Sequence, residues 1–200
     1  SGGGMTTIDV AARYPVRLIE SGPAGGTVLA ADVARACGVS RAMSFDMGGT
    51  TAKICFIDDG EAQHARAFEA ARIYRFAKGS GLPLRIPVIE MVEIGAGGGS
   101  IARIDSLGRV AVGPDSASSR PGPACYGLGG REPTVTDANL VAGRIEADRF
   151  AGGTIRLDAA VAAAAIGAGI GAALDLATDP AAAAVIQVVE ENMANAARVH

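Results

Sequence analysis

The sequence contains no tryptophan, and aromatic residues account for only 4% of its 200 residues. A core built on large rings is therefore excluded, and the 28 glycines indicate close packing of backbone segments and glycine-rich functional loops instead. Disorder is excluded as well, because 49% of the residues are apolar and only 20% are charged. A chain of this length predicts one domain with a proper core, or at most two small ones.

Metal-binding motifs are missing too. The three cysteines, Cys37, Cys55 and Cys125, form no CxxC pair, and only two histidines accompany them, so no zinc pattern can be assembled. Cys37 and Cys55 fit core positions on a helix and on a strand. Unpaired thiols of this kind are typical of proteins in a reducing compartment, and we predict a cytoplasmic location.

Long apolar runs and basic clusters are also lacking. The sequence has no signal peptide and no uninterrupted run of about 18 apolar residues, so neither export nor a membrane span is predicted. The net charge is −3 without any basic run, which excludes an electrostatic footprint for nucleic acid. An anionic ligand would have to be held by backbone N–H groups, helix N-termini or a metal ion.

The chain is organised around a short segment, residues 46–51, which we call the central turn. Residues 41–45 before it and residues 52–57 after it are rich in apolar side chains and predict two buried strands. Between the strands stand one carboxylate, two glycines and two hydroxyls. The layout predicts a tight hairpin turn with an unusually polar and open tip.

This composition suits a turn that holds phosphate. Gly48 and Gly49 can take φ > 0 and let N–H groups approach an anion without obstruction by Cβ. Thr50 and Thr51 add hydroxyl donors, and Asp46 can hold a hydrated Mg²⁺. A plain hairpin with a solvated aspartate is the alternative that the segment by itself leaves open.

The segment before the central turn predicts a helix with a glycine-rich start. Ser21 and Gly22 fit the helix start, and Pro23 fits the first helical position. Gly38 fits the C-terminal stop. The free N–H groups and partial positive charge at the helix N-terminus would attract an anion. A generic helix between two strands is the alternative interpretation.

A second glycine-rich segment, residues 95–100, follows a predicted strand over residues 87–94, and we call it the glycine loop. Four glycines and a serine in six residues predict a place where another group approaches the backbone closely. Residues 101–112 then predict a hairpin, and residues 63–76 predict one or two further strands.

The segment that follows, residues 113–136, is rich in proline and glycine and predicts an ordered loop that forms one wall of a site. Cys125 within it would need a nearby base to act as a nucleophile. Because the two histidines are far away in sequence, a buried structural thiol is the favoured interpretation.

The C-terminal third predicts helices. Thr136 is the predicted N-cap of the first, with Asp137 in its first turn, and later helices are predicted to begin at Asp158 and Asp179. We therefore predict a sheet core over residues 14–60 and 85–113, a loop over residues 114–135 and a helical part over residues 136–200.

Taken together, these motifs resemble the hydantoinase A/5-oxoprolinase family, which includes N-methylhydantoinase A-like proteins and the ATP-consuming subunits of acetone and acetophenone carboxylases. The resemblance covers essentially the whole chain, and it rests on five blocks that occur in the family's order. The blocks are residues 21–26, 45–52, 94–101, 122–127 and 132–139.

The resemblance implies an α/β fold, namely a ribonuclease-H-like domain of the actin, sugar-kinase and heat-shock-chaperone ATPase superfamily, with a mixed sheet and flanking helices. It also implies ATP and Mg²⁺ as ligands. Asp46 would hold Mg²⁺ through water and orient the attacking nucleophile, with Glu20 as a weaker catalytic candidate. The implied nucleotide-binding residues are Gly48, Gly49, Thr50, Thr51, Gly97, Gly98, Gly99 and Ser100. Whether the glycine loop contacts substrate or nucleotide stays open.

The implied activity is ATP-dependent hydrolysis of a cyclic amide, such as 5-oxoproline or a hydantoin, after activation of the lactam by phosphorylation. The ATP-using subunit of an acetone/acetophenone-type carboxylase and a non-catalytic ATPase-like switch domain are the alternatives. A second subunit of the hydantoinase B type is the implied partner. Family members carry another Asp-x-Gly-Gly-Thr hairpin and a later Gly-Gly-Ala-Gly stretch, so this chain is expected to be a central fragment that is inactive by itself.

Overall fold

The computed structural model of the protein describes residues 2–70 and 81–199. The chain divides into two compact units, which we describe separately. The first comprises Ser1–Asp46 and Lys53–Val92, and the second comprises Met47–Ala52 and Glu93–His200. Both contain helices and antiparallel strand pairs, which confirms the predicted mixed α/β class. Of the strands predicted over residues 63–76, the part from residue 71 onward lies outside the described residues.

The described residues form six α-helices and ten strands. The helices are α1 (Ile8–Arg13), α2 (Ser21–Ala36), α3 (Val135–Val141), α4 (Ala159–Ile166), α5 (Ala172–Leu174) and α6 (Thr178–Val199). The strands are β1 (Arg41–Met47), β2 (Ala52–Asp58), β3 (Glu61–Ala62), β4 (His64–Ala65), β5 (Phe68–Ala70), β6 (Leu82–Leu84), β7 (Val88–Ile89), β8 (Val92–Ile94), β9 (Ser100–Ile104) and β10 (Val110–Ser116).

Helix α2 of the first unit confirms the predicted helix, although it begins at Ser21, two residues before the predicted Pro23. A proline in the first turn costs no hydrogen bond there, because the first N–H groups of a helix have no intrahelical partner. The buried side of α2 carries small residues, which allow close packing. They are Ala24, Thr27, Ala31 and Ala34. Cys37 follows the helix and is exposed, so its predicted core position was wrong.

Strands β1, β2 and β3 are neighbours in one sheet in that order. Strand β2 is buried as predicted, with Ile54 and Ile57 each 1% exposed. The prediction that residues 41–45 form a buried strand was wrong, because Met43 and Phe45 are 48% and 46% exposed. Exposure alternates along β1, which is the period of a strand covered on one face only.

The second unit joins the β9–β10 hairpin to a helical part. Val110 to Val112 pair antiparallel with Ile104 to Ala102, which confirms the predicted hairpin. A hydrophobic cluster of the second unit is built on buried Cys125, Leu140, Leu157 and Ala162. The rings of Tyr126 and Phe150 pack at its edge with centroids 5.6 Å apart.

Helix α3 starts earlier than predicted. Its N-cap is Thr134 and not Thr136: the Thr134 side chain accepts from the N–H of Asp137, and the Asp137 carboxylate accepts from the N–H of Thr134. Such a capping box satisfies two N–H groups that the helix leaves open. The prediction of Thr136 was wrong because its hydroxyl bonds outside the helix, to the carbonyl of Gly98.

The remaining helices follow their predicted starts. Asp158 caps α4, because its Oδ1 accepts from the N–H groups of Ala160 at 2.9 Å and Val161 at 3.1 Å. Helix α6 begins at Thr178, within one residue of the predicted start at Asp179. Across residues 2–70 and 81–199, no single helix is long and apolar enough to cross a membrane, although α4–α5 and α6 pass that length and composition test as a pair bent by 86°.

Substitution by alanine at two glycines of the first unit is expected to change the free energy of unfolding in opposite directions. Gly26 is exposed inside α2, and a Cβ there would meet no atom of the described residues within 4 Å. We expect Gly26→Ala to raise the free energy of unfolding by about 0.5–1 kcal/mol in urea titrations, because alanine loses less conformational freedom on folding.

Gly60→Ala serves as the opposed variant in the same titration. Gly60 has φ +77°, and its added Cβ would overlap the Arg35 side chain, which donates from Nη1 to the Gly60 carbonyl at 2.7 Å. We expect a loss of about 1 kcal/mol or more, since a left-handed backbone is strained for alanine. Equal effects of the two substitutions would contradict this account.

Candidate phosphate-binding site

The central turn closes with a hydrogen bond from the N–H of Gly48 to the carbonyl of Thr51, at 2.9 Å. Gly48, Gly49 and Thr50 are exposed, and Thr51 is half-buried. Neither glycine adopts φ > 0, so that part of the prediction was wrong, while access of an anion without obstruction by a Cβ stays a prediction. The backbone dihedrals of the turn are therefore unexceptional. Any suitability of the turn for an anion must come from the segments that contact it.

The glycine loop of the same unit contacts one side of the turn. The N–H of Gly98 donates to the carbonyl of Gly48 at 3.0 Å, and the N–H of Gly99 donates to the carbonyl of Gly49 at 2.6 Å. The Ser116 hydroxyl adds a longer bond to the Gly49 carbonyl, at 3.4 Å. Both carbonyls at the tip of the turn therefore point toward the loop.

Two N–H groups consequently point the other way. In a planar trans peptide the C=O and the following N–H are antiparallel, so the N–H groups of Gly49 and Thr50 face away from the loop. Both residues are exposed, and within the part of the chain that the structure describes neither N–H has a hydrogen-bond partner. Successive free N–H groups on one side of a turn form a concavity that suits an anion.

The requirement for glycine lies in the loop. A Cβ on Gly97 would stand 2.7 Å from the Gly48 carbonyl oxygen and 2.8 Å from carbonyl carbons of Gly49 and Thr50. A Cβ on Gly99 would stand 2.9 Å from the Gly49 carbonyl oxygen. No side chain fits at such distances, so the loop is glycine-rich because the turn lies directly against it.

The N–H groups of residues 97–100 in the loop are hydrogen-bonded within the protein. The N–H of Gly97 donates to the Ser100 hydroxyl at 2.9 Å, and the N–H of Ser100 donates to the Gly97 carbonyl at 3.0 Å. Those of Gly98 and Gly99 hold the turn, and Ser100 is fully buried. In this geometry, residues 97–100 support the turn. Nucleotide binding stays a prediction for all four of them, Gly97, Gly98, Gly99 and Ser100.

The acidic candidates occupy different surroundings. Asp46 is exposed near the end of β1, where its carboxylate is open to solvent. Among residues 2–70 and 81–199, no three His, Cys, Asp or Glu side chains converge as a metal site. A single carboxylate still fits Mg²⁺, which keeps several waters and commonly takes one or two carboxylates plus phosphate oxygens.

Glu20 precedes α2 in the left-handed conformation, with φ 60° and ψ 25°. Its Oε2 lies 3.1 Å from the Nζ of Lys53, and the two side chains are only 23% and 16% exposed. Lys53 was missed by sequence reasoning. The signal that could have found it is a lysine inside β2, a strand whose other residues are largely buried.

Cys125 lies in a turn whose backbone is hydrogen-bonded to a buried carboxylate. Asp137, which is fully buried, accepts from the N–H groups of Ala124 at 3.2 Å and Cys125 at 2.8 Å, and from the Thr134 hydroxyl at 2.7 Å. Burial, and then the charge of Asp137, raise the pKa of Cys125 far above its ordinary value. The thiol is neutral at physiological pH, which supports the structural interpretation over the nucleophilic one.

A sequence model described as hydantoinase/oxoprolinase matches residues 1–199 of the chain. The chain belongs to the hydantoinase/oxoprolinase family. Caprolactamase subunit alpha of Pseudomonas jessenii is 37% identical over 99% of the chain and 27% of its own length. The acetophenone carboxylase gamma subunit of Aromatoleum aromaticum is 36% identical over 90% of the chain and 24% of its own length.

Two solved structures of the family carry the same fold. Nucleotide-free acetone carboxylase, which carries out ATP-dependent acetone carboxylation, superposes with a TM-score of 0.75 at 30% identity over 96% of this chain and 26% of its own. The ATP-dependent caprolactamase of Pseudomonas jessenii superposes with a TM-score of 0.72 at 36% identity, over 89% and 24%. The chain thus spans about a quarter of the length of these family members.

The contact between loop and turn predicts a strong effect of Gly97→Ala. The added methyl must displace the backbone of Gly48 to Thr50 and so misdirect the two free N–H groups. We expect the affinity of the complete enzyme for ATP, measured by calorimetry, to fall about tenfold or more. Gly108→Ala is the control, because it strains another hairpin, at φ +76°, without touching the turn; equal losses in both variants would contradict the assignment.

The burial of the thiols predicts selective alkylation. Treated with iodoacetamide at neutral pH and mapped by mass spectrometry, the native protein should be modified at Cys37, which is exposed, while Cys55 and Cys125 stay protected. Unfolding in guanidinium should make all three reactive. Modification of native Cys125 as fast as Cys37 would contradict the structural assignment.

Proposed function

We propose that the central turn binds the β/γ-phosphates of ATP in an enzyme that phosphorylates a cyclic amide and then hydrolyses it. The observation that carries the proposal is the pair of N–H groups of the exposed residues Gly49 and Thr50, which have no hydrogen-bond partner among residues 2–70 and 81–199. They offer a phosphate two preoriented donors whose dipoles need no rearrangement on binding. The naming of two family relatives as ATP-dependent enzymes supports the same ligand.

The chemistry assigned to the turn is electrostatic. Transfer of the γ-phosphoryl group spreads charge over its oxygens, and catalysis depends on positioning and on charge stabilisation. The free N–H groups would bind these oxygens, with the Thr50 and Thr51 hydroxyls as further donors. Asp46 would hold Mg²⁺ through water, and the ion would neutralise phosphate charge. Glu20, held by Lys53, is a secondary candidate for orienting water.

A lactam needs such activation because amide resonance makes its carbonyl a poor electrophile. Transfer of the γ-phosphoryl group to the lactam oxygen releases ADP and gives an imidate phosphate. Water then adds to the activated carbon, and the C–N bond of the ring breaks as the nitrogen takes up a proton, which leaves an acyl phosphate. A second water hydrolyses this acyl phosphate to phosphate and the carboxylate of an amino acid or a ureido acid. Caprolactamase acts on a lactam by name, which supports a cyclic amide such as 5-oxoproline, a hydantoin or a larger lactam as the substrate class.

The wider assembly is part of the same proposal. We assign the fold to the ribonuclease-H-like domains of the actin, sugar-kinase and chaperone ATPase superfamily, in which ATP lies between two such domains. A companion subunit of the hydantoinase B type would complete the enzyme. The naming of relatives as alpha and gamma subunits supports a multi-subunit assembly.

A carboxylase subunit is the second candidate function. It is favoured by the acetone carboxylase structure, which has the higher TM-score of the two superpositions. The phosphorylated oxygen would then belong to bicarbonate or to a ketone enolate instead of a lactam. The turn would perform the same task in either enzyme, so the acceptor and not the ATP site separates the two.

The role of the turn is tested by Asp46→Asn in the complete enzyme. We expect ATP turnover to fall by about a hundredfold or more, because the carboxylate charge that holds the hydrated metal is lost while the shape is kept. Asp58→Asn is the matched control, since Asp58 is also exposed at a strand end and its carboxylate interacts with Arg41 and Gln63, away from the central turn. Near-normal turnover of Asp46→Asn would refute the assignment.

The acceptor is identified in the same assay. Phosphate release should rise on addition of 5-oxoproline, a hydantoin or caprolactam if the protein is an amidohydrolase. A rise with acetone or acetophenone and bicarbonate would favour the carboxylase. Release that ignores every acceptor would leave the non-catalytic switch.

A further inference from the structure

Thr136, in the first turn of α3, is hydrogen-bonded to the glycine loop. Its N–H and its hydroxyl both donate to the carbonyl of Gly98, each at 2.8 Å. Thr136 is 4% exposed, so solvent does not compete for these bonds. A threonine hydroxyl in a helix commonly bonds back to its own helix; this one instead reaches a different segment of the chain.

We propose that Thr136 is a positioning residue that sets the direction of the Thr50 N–H and thereby the affinity of the central turn for ATP phosphates. The inference rests on the proposed function, because it assumes that phosphate is the ligand of the turn. Thr136 acts through the glycine loop and does not touch the ligand.

The first step is the peptide unit between Gly98 and Gly99. Its carbonyl accepts both bonds from Thr136, and its N–H, which belongs to Gly99, donates to the carbonyl of Gly49 at 2.6 Å. Because the unit is planar and trans, fixing the carbonyl fixes the N–H in the opposite direction. Thr136 therefore determines where the loop aims its donor.

The second step is the peptide unit between Gly49 and Thr50. Its carbonyl is held by Gly99, so its N–H, which belongs to Thr50, is directed away from the loop toward solvent. Two peptide units thus stand in series between the Thr136 hydroxyl and the Thr50 N–H. Hydrogen bonds in such a chain polarise one another, which makes the terminal donor stronger as well as better aimed.

The helix turn that carries Thr136, where this series of hydrogen bonds begins, is itself held by hydrogen bonds. Thr134 and Asp137 close the capping box of α3 on either side of Thr136, and Asp137 also binds the N–H groups of Ala124 and Cys125. All of these side chains are buried. Thr136 also lies directly against the glycine loop, because a Cβ on Gly98 would stand 2.8 Å from its hydroxyl.

The test compares three variants of the complete enzyme. Thr136→Val keeps the shape and the backbone N–H but removes the hydroxyl, and Thr136→Ser restores the hydroxyl. Asn139→Ala is the matched control, because it removes a side-chain bond within α3, from Nδ2 to the Val135 carbonyl at 3.0 Å, without contacting the loop. The readouts are KM for ATP and kcat, together with hydrogen exchange at the Gly99 N–H.

We expect Thr136→Val to raise KM for ATP about fivefold, the effect of one typical hydrogen bond, and to speed exchange at Gly99. Thr136→Ser and Asn139→Ala should stay near wild type in KM for ATP and in the exchange rate at Gly99. A purely structural role would predict equal effects of Thr136→Val and Asn139→Ala, and that result would overturn the inference, as would unchanged KM in Thr136→Val.

The two proposals fail in different ways. If Asp46→Asn turns over ATP normally, the proposed function is wrong and the inference is withdrawn with it. If Asp46→Asn is inactive but Thr136→Val retains wild-type KM, the turn binds ATP and the positioning role alone is wrong.

Discussion

The close approach of two backbones, that of the central turn and that of the glycine loop, is the constraint on which the candidate site depends. Hydrogen bonds of 3.0 and 2.6 Å join them, and no Cβ fits at Gly97 or Gly99. The contact fixes the direction of the turn's carbonyls, and the planar peptide then fixes the direction of its free N–H groups. In the proposed site, the donors for an anion are therefore backbone N–H groups whose direction is set by this close approach.

This arrangement suits a chain with a net charge of −3. A cluster of lysines and arginines would attract many anions and would change strength with salt, whereas two aimed N–H groups select by geometry. Because the loop satisfies the turn's carbonyls inside the protein, the site is organised before the ligand arrives. Binding then loses little free energy to ordering, which is the usual benefit of preorganisation.

Sequence patterns predicted the parts that depend on local chemistry. The start of α4 at Asp158, the hairpin of β9 and β10, the buried strand β2 and the two glycine segments were all accessible, because caps, alternation and glycine content are local signals. Contacts between distant segments were not: the exposure of β1, the Glu20–Lys53 pair and the outward bond of Thr136 depend on which element lies opposite. The N-cap of α3 was misjudged for the same reason, since two threonines compete and a remote carbonyl takes one of them.

At Gly49, the requirements of the fold differ from those of the proposed ligand. Its φ is not left-handed, and a Cβ there would meet no atom of the described chain within 4 Å, so the fold makes no demand for glycine at this position. The space that a side chain would fill is the space through which, in the proposed function, an anion would reach the turn. Residue 49 is therefore a natural entry point for redesign: the scaffold can be kept while the width of its opening is retuned, toward a smaller anion or toward none.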